Sequence, residues 1–250
     1  MITLLVDAVS FDAREVRVEG DAYRHLFRAR RVAAGEEMRI VDGRGRARWG
    51  RVERVDRTSA VVTLGDPAEE REPAFRLELL VPTCRPERAS WLVEKATELG
   101  VFALRFLNTS RAPRELGGGA LDRLRRVAAA AVEQCHRSRL PEITGPHAWS
   151  ELERLTGGAG YRWFLDPEAA AGEGCLSVRE PDNSAVLLIG PEGGLASEER
   201  RELLTAGWHP VRLGERILRL ETAAIAGAAL ILLSPSGIQD PKLTPPRGSG

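Results

Sequence analysis

Two segments near the C-terminus hold the residues whose types and spacing suit chemistry. They run from Val186 to Gly194, Val-Leu-Leu-Ile-Gly-Pro-Glu-Gly-Gly, and from Leu213 to Ala223, Leu-Gly-Glu-Arg-Ile-Leu-Arg-Leu-Glu-Thr-Ala. In the first, an apolar run of strand length stops at Gly190-Pro191-Glu192-Gly193-Gly194. Glycine permits positive φ and close approach of the backbone, and proline ends a hydrogen-bond ladder. A ligand can therefore meet bare main chain there. Ser197 is placed to cap the next helix, with Glu198 and Glu199 in its first turn matching the helix dipole. The unit reads strand, glycine loop, helix, and open α/β sheets bind ligands at such carboxyl ends. It is neither a Walker A loop, since no Lys follows the glycines, nor a G-x-G-x-x-G dinucleotide fingerprint. Taken alone, it is equally an ordinary glycine-rich turn.

The second segment interrupts apolar positions with Arg216, Arg219 and Glu221 just before Thr222 to Leu233, a run of small and apolar residues suited to a buried helix. Charges at the mouth of such a helix need a partner or a task, the plainer alternative being an Arg219–Glu221 surface pair. Read in order, IGPEGG followed by LGxRILRxETA resembles the signature of the SPOUT-class 16S ribosomal RNA m3U methyltransferases, the RsmE family. The resemblance extends upstream through Lys95-Ala-Thr-Glu-Leu-Gly-Val101 and Glu133-Gln-Cys-His-Arg-Ser-Arg-Leu-Pro-Glu142. Two positions depart from it: Ser138 stands where the family usually has Asn, and Leu220 where it usually has Thr.

The resemblance implies S-adenosylmethionine as methyl donor, S-adenosylhomocysteine as product, no metal, and as acceptor N3 of one uridine in 16S rRNA of the small subunit, numbered 1498 by family convention. N3 carries a proton, so such an enzyme must favour an anionic uracil. A guanidinium aimed at a uracil carbonyl would stabilise that charge, and Arg219 is the candidate; Glu221 and Glu192 are the carboxylates placed to take the proton. The cofactor is expected against Leu165, Pro167, Leu188, Ile189, Gly190, Pro191, Glu192, Gly193 and Gly194, and against Leu213, Gly214, Ile217, Leu218, Leu220, Thr222 and Ala223. A SPOUT enzyme acting on a ribose 2′-hydroxyl or another base is the nearest rival, although those relatives usually carry an Asn-containing motif where this chain has Leu220-Glu-Thr-Ala-Ala. A non-catalytic ribosome-assembly binder is the rival of another class.

Lys plus Arg equals Asp plus Glu, 36 each, so the net charge is zero and the whole chain has no electrostatic signature of nucleic-acid binding. The distribution differs from the sum. Arg24 to Arg57 holds eleven Arg against five acids, and Arg105 to Arg139 eight against three, which fits two phosphate-facing stretches or two solvated faces. Arg24, Arg28, Arg30 and Arg31, with Gln134, Arg137 and Arg139, are the candidate RNA contacts. Cys84, Cys135 and Cys175 are odd in number and widely spaced, which fits neither a disulfide framework nor a zinc site. With no export signal and no apolar run of membrane-spanning length, a cytoplasmic protein is expected. The resemblance adds a homodimer.

The elements that must position these residues fall into two patterns. Short strands are expected at 14–18, 37–41, 47–55 and 60–64, with a tight hairpin at Asp42-Gly43 and Gly45 and a helical insert from Asp21 to Ala33. This is a small β-rich domain, 1–72, which the resemblance makes a PUA-like RNA-binding barrel. After an acid-rich linker, Pro67 to Pro73, strands alternate with helices: strands at 76–81, 101–107, 161–165, 185–189 and 211–213, a helix opened by Pro86 with Trp91, Leu92 and Leu99 on its apolar face, and a helix over 121–135. Such alternation predicts an α/β domain with a mostly parallel sheet. The resemblance makes 73–236 a SPOUT methyltransferase domain with a trefoil knot, where general topology rules give an unknotted sheet. Residues 237–250 read as a flexible tail.

Overall fold

The computed structural model describes residues 1–112, 116–170, 176 and 183–233. The segment 237–250 and Cys175 lie outside the described residues. The chain divides into two compact units: Met1–Glu72 with Arg126–Leu140, and Pro73–Arg125 with Pro141–Gly250.

The first unit is built from β1 (Thr3–Leu5), α1 (Ala8–Asp12), β2 (Glu15–Val18), α2 (Gly20–Tyr23), β3 (Glu37–Val41), β4 (Ala47–Val55) and β5 (Ala60–Pro67). The strands lie in the order β1-β3-β4-β5-β2, with β1 parallel to β3 and the other pairs antiparallel. Alternation sets the inner face: in β2, Val16 and Val18 are buried while Glu15 and Arg17 face out. Phe11, Tyr23, Phe27, Met38, Ile40 and Val62 fill the interior. The β3–β4 hairpin turns at the expected glycines, Gly43 and Gly45 at φ 70° and 112°. Asp42 fixes it by accepting from the backbone N–H of Arg44 (2.8 Å) and Arg46 (3.0 Å). The insert is helical only to Ala29, its second half a π-helical turn, so Arg30 and Arg31 fall in the loop that follows. β1 was not anticipated, because a three-residue strand whose partner is 36 residues away leaves no periodic signal.

The second unit runs β6 (Arg76–Pro82), α3 (Pro86–Leu99), β7 (Ala103–Asn108), α4 (Ala120–Cys135, ending among the residues of the first unit), β8 (Glu142–Ala148), α5 (Leu152–Thr156), β9 (Tyr161–Leu165), β10 (Ser184–Ile189), α6 (Ser197–Thr205), β11 (His209–Val211) and α7 (Leu220–Leu232). Its six strands lie in the order β11-β9-β10-β6-β7-β8, every pair parallel. Leu79, Leu80, Val81, Leu187 and Leu188 are fully buried, the continuous apolar runs of a sheet covered on both faces. α3 opens on Pro86, and Gly100 closes it in the left-handed conformation, φ 97°. Its buried stripe is Ala89, Leu92, Val93 and Ala96; Trp91, expected with them, is exposed. The last strand ends two residues earlier than expected, and Leu213 lies in the loop beyond it. From β11 the chain returns across β9, and α7 packs on β10, β6 and α3. The return is close: a Cβ on Gly227 would lie 2.6 Å from Leu187 Cδ2.

Candidate functional site

Three loops leave the carboxyl ends of β9, β10 and β11 and enclose, with the start of α7, a cavity of about 510 Å³. That is the size of a small-molecule or cofactor cleft, at the end of a parallel sheet where ligands are held. Of the expected cofactor contacts, Leu165, Pro167, Ile189, Gly190, Pro191, Glu192, Gly193, Gly194, Leu213, Gly214, Ile217, Leu218, Leu220 and Ala223 line it. Two do not. Leu188 lies fully buried in the core with Phe164 and Leu80, and Thr222 is exposed away from the lining.

The walls are tied by side chains whose importance is invisible in the motifs. Asp166 links two loops and α6: its N–H donates to Val211 O (2.9 Å), Oδ1 accepts from Glu168 N (2.9 Å), and Oδ2 accepts from Arg200 Nε (2.7 Å). Arg111 donates from Nη1 to Gly193 O (2.7 Å). Buried Glu199 accepts from Ser110 N and Ala196 N, both at 2.8 Å. Ala196 is therefore the residue at the cap, and Ser197 is the first residue of α6.

The glycine loop passes a test of fit for a ligand held by main chain. Gly194 needs glycine for its own sake, with φ 70°. Gly193 does not: a Cβ there would meet only the Arg111 side chain, Cδ at 3.6 Å and Cβ at 3.8 Å, ordinary contact. Packing leaves that position open to a side chain, and what a side chain would obstruct is the cavity.

Of the three expected catalytic side chains only Glu192 lines the cavity; Arg219 and Glu221 do not, but stand on either side of Leu220, which does. Glu192 is ion-paired with Arg88 of α3. Arg219 is exposed at the N-cap of α7. Glu221 is in the first turn of α7, between Leu220 and Ala223 of the lining, and its Oε2 is buried with no hydrogen-bond partner among the described residues. The charge of Glu221 reaches the thiol of Cys84, which is pushed up to about 11, first by burial and then by that charge.

The expected RNA contacts divide. Arg24, Arg28, Arg30, Arg31 and Gln134 are exposed, and Arg139 is half-buried. Arg24 pairs with Asp21, and Arg28 reaches Arg57 O at 2.7 Å. Arg137 is different. It is 4% exposed, and it grips the carboxylate of Glu72 through Nη2 (2.7 Å) and Nε (3.1 Å). Glu72 also accepts from Ser138 N (2.8 Å), Arg139 N (3.0 Å) and Ser138 Oγ (3.3 Å). Burial opposes ionisation of Glu72, but Arg137 and the two backbone donors outweigh it and hold the carboxyl below its usual range. Arg137 is an internal anchor here, not a surface cation. Ser138, fully buried, serves the same cluster of hydrogen bonds.

Among the described residues no group of three His, Cys, Asp or Glu side chains is arranged to hold a metal ion, and no helix is long and apolar enough to cross a membrane.

Comparison with known proteins agrees with this architecture. A family model described as an RNA methyltransferase domain matches residues 70–232, and one described as an RNA methyltransferase PUA domain matches residues 18–65. The ribosomal RNA small subunit methyltransferase E of Mycobacterium bovis is 29% identical over 94% of this chain and 94% of its own length; that of Bacillus subtilis is 23% identical over 88% and 90%. Among solved structures, a probable rRNA-methyltransferase from Porphyromonas gingivalis superposes with a TM-score of 0.80 at 28% identity, over 92% of this chain and 97% of that one. A ribosomal RNA small subunit methyltransferase E from Neisseria gonorrhoeae, bound to S-adenosyl methionine, shares the fold with a TM-score of 0.81 at 24% identity, over 92% and 95%. With the RNA methyltransferase domain spanning well over half of its length behind a PUA domain, this chain belongs to the RsmE family of RNA methyltransferases.

Proposed function

We propose that the protein transfers a methyl group from S-adenosylmethionine to N3 of a uridine in 16S rRNA of the small ribosomal subunit, uridine 1498 by family convention. The observation that carries the reading is Glu221 Oε2, a buried acceptor with no donor among the described residues, beside a cavity walled by glycine backbone. A buried acceptor without a partner costs about 1–3 kcal/mol, so its retention suits a group whose donor arrives with the substrate. The N3–H of uracil is such a donor.

When bound, S-adenosylmethionine supplies an electrophilic methyl and leaves as S-adenosylhomocysteine. The chain's residues do the rest. The Gly190–Gly194 loop and Leu213–Leu218 hold the donor through main-chain groups, with Leu165, Pro167, Leu220 and Ala223 as apolar wall. Glu221 takes the N3 proton, Glu192 being the second carboxylate within the site. Arg219 donates to a uracil carbonyl as negative charge develops. The exposed Arg24, Arg28, Arg30 and Arg31, with Gln134 and Arg139, supply salt-dependent phosphate contacts, and the base is drawn out of its stack.

Two further features belong to this reading. Beyond its first turn α7 is apolar on every side, and Ile225, Ala226, Ala229, Leu230 and Leu232 stay half-exposed in one chain. This supports a homodimer that covers them; a sedimentation mass of one 27.3 kDa chain would refute it. The ribosomal substrate supports a cytoplasmic location.

The decisive experiment is methyl transfer from labelled S-adenosylmethionine to small subunits that lack the mark, followed by nucleoside analysis. 3-Methyluridine is the expected product. A 2′-O-methylated nucleoside, or cofactor binding without transfer to any RNA, would overturn the assignment in favour of the two rival readings.

A further inference from the structure

Arg88 has no place in the motifs and does not itself line the cavity, yet the fold ties it to a residue that does. It is the third residue of α3, and its guanidinium is ion-paired with Glu192, 104 residues away in the glycine loop. The thiol of Cys84, two residues before α3, feels the charges of both Arg88 and Glu221. Arg88 thus joins α3 to the glycine loop, whose Glu192 lines the cavity with Leu220 and Ala223, and Arg88 and Glu221 are the two charges that act on the buried Cys84 thiol. Arg88 is about one-third exposed at 34%, whereas Arg219 stands in solvent.

Uracil presents an acceptor, a donor and an acceptor along its O2, N3–H and O4 edge. Two carbonyls flank N3, so one arginine at most half-fills the need for donors as the proton leaves. We propose that Arg88 is a second substrate-contacting guanidinium, donating to a carbonyl beside N3 while Glu221 accepts the N3 proton, so that the pair selects uracil over cytosine. The inference rests on the N3-uridine reading above. Cytosine N3 is an acceptor with no proton and would face the Glu221 carboxylate lone pair to lone pair. A guanidinium carries five N–H groups in a fixed fork, so Arg88 can hold Glu192 with one edge and the base with another. Before the base arrives, Glu192 balances its charge.

The test uses full-length protein and small subunits in which the wild type has first been shown to form 3-methyluridine. Arg88→Ala, Arg88→Lys and Glu192→Gln are compared by single-turnover transfer across pH and by calorimetric titration with S-adenosylmethionine. For Arg88→Ala the expected result is cofactor affinity within about threefold of wild type and transfer slower by roughly 10²- to 10³-fold at neutral pH, as for loss of one oxyanion donor. The deficit should shrink as pH rises towards the range where uridine N3–H ionises unaided, and added guanidinium ion should restore part of it. Arg88→Lys should retain part of the rate, and Glu192→Gln should be milder than Arg88→Ala. A deficit that is the same at every pH, or cofactor affinity lost in proportion to rate, would overturn the proposal and leave Arg88 as a brace for the glycine loop. If the wild type forms no 3-methyluridine, the N3 reading fails first and the inference falls with it.

Discussion

Replacing Glu72 tests whether Arg137 is an internal anchor or an RNA ligand. Glu72 and Arg137 side chains are 9% and 5% exposed, so neither charge has water to fall back on when the other is removed. Breaking a buried pair by deleting one partner costs about 3–5 kcal/mol. Glu72→Gln keeps an acceptor for the backbone N–H groups of Ser138 and Arg139 but leaves Arg137 uncompensated, so about 3 kcal/mol is expected. Glu72→Ala strands those two donors as well and belongs near about 5 kcal/mol, the individual terms not being additive. Arg137→Ala should cost less than Glu72→Ala, because Glu72 keeps both backbone donors. At about 2–4 °C per kcal/mol for a chain of this size, Glu72→Gln lowers Tm by roughly 6–12 °C.

Urea unfolding followed by circular dichroism, with a parallel RNA titration in salt, reads both sides of the question. The folded Glu72 carboxyl lies below its unfolded value, so its contribution is complete above the unfolded pKa and is lost as pH falls through the folded one. The stability gap between wild type and Glu72→Gln should therefore be constant near neutrality and close in acid. If Glu72→Ala loses under about 1 kcal/mol, or Arg137→Ala lowers the log–log salt slope of RNA affinity by about one while stability holds, the burial argument is wrong and Arg137 faces phosphate.

Gly193→Ala should leave Tm within about 2 °C, because a Cβ there meets only ordinary contact, yet weaken S-adenosylmethionine binding by at least about tenfold by calorimetry; unchanged affinity would remove the loop from the cofactor's path. With its thiol pushed up to about 11, Cys84 should resist iodoacetamide in the native protein at mildly alkaline pH and react only on unfolding, as peptide mass spectrometry would show. Native labelling of Cys84 at the rate of half-buried Cys135 would refute that burial.

What the sequence made legible follows from how each contact is built. A ligand held by main chain needs glycines and turns in an unbroken run, so the loop at Gly190–Gly194 and the approach to α7 stood out, and most of their residues line one cavity. The parallel sheet was readable for the same reason, its buried strands being continuous apolar runs. The side chains that brace the cavity answer to partners far along the chain: Arg111 and Gly193 are 82 residues apart, Asp166 and Arg200 34, Arg88 and Glu192 104. No short window of sequence contains both ends of any of these pairs, and each arginine reads as one more surface cation.

Charge counting fails in the same physical way. Arg137 and Arg139 carry equal weight in the excess between Arg105 and Arg139, but Glu72, 65 residues before Arg137, takes the guanidinium of the first and only the backbone N–H of the second. Phosphate attraction depends on cations that remain hydrated and unpaired, and a buried pair contributes rigidity in its place. An arginine-rich stretch therefore bounds the RNA-facing charge from above. In this chain the reduction falls on several arginines of that stretch: Arg105 is held by Glu78 and Arg125 by Asp122, while Arg137 is the most buried of the three, and the contacts that bury it also order the loop from Arg137 to Arg139.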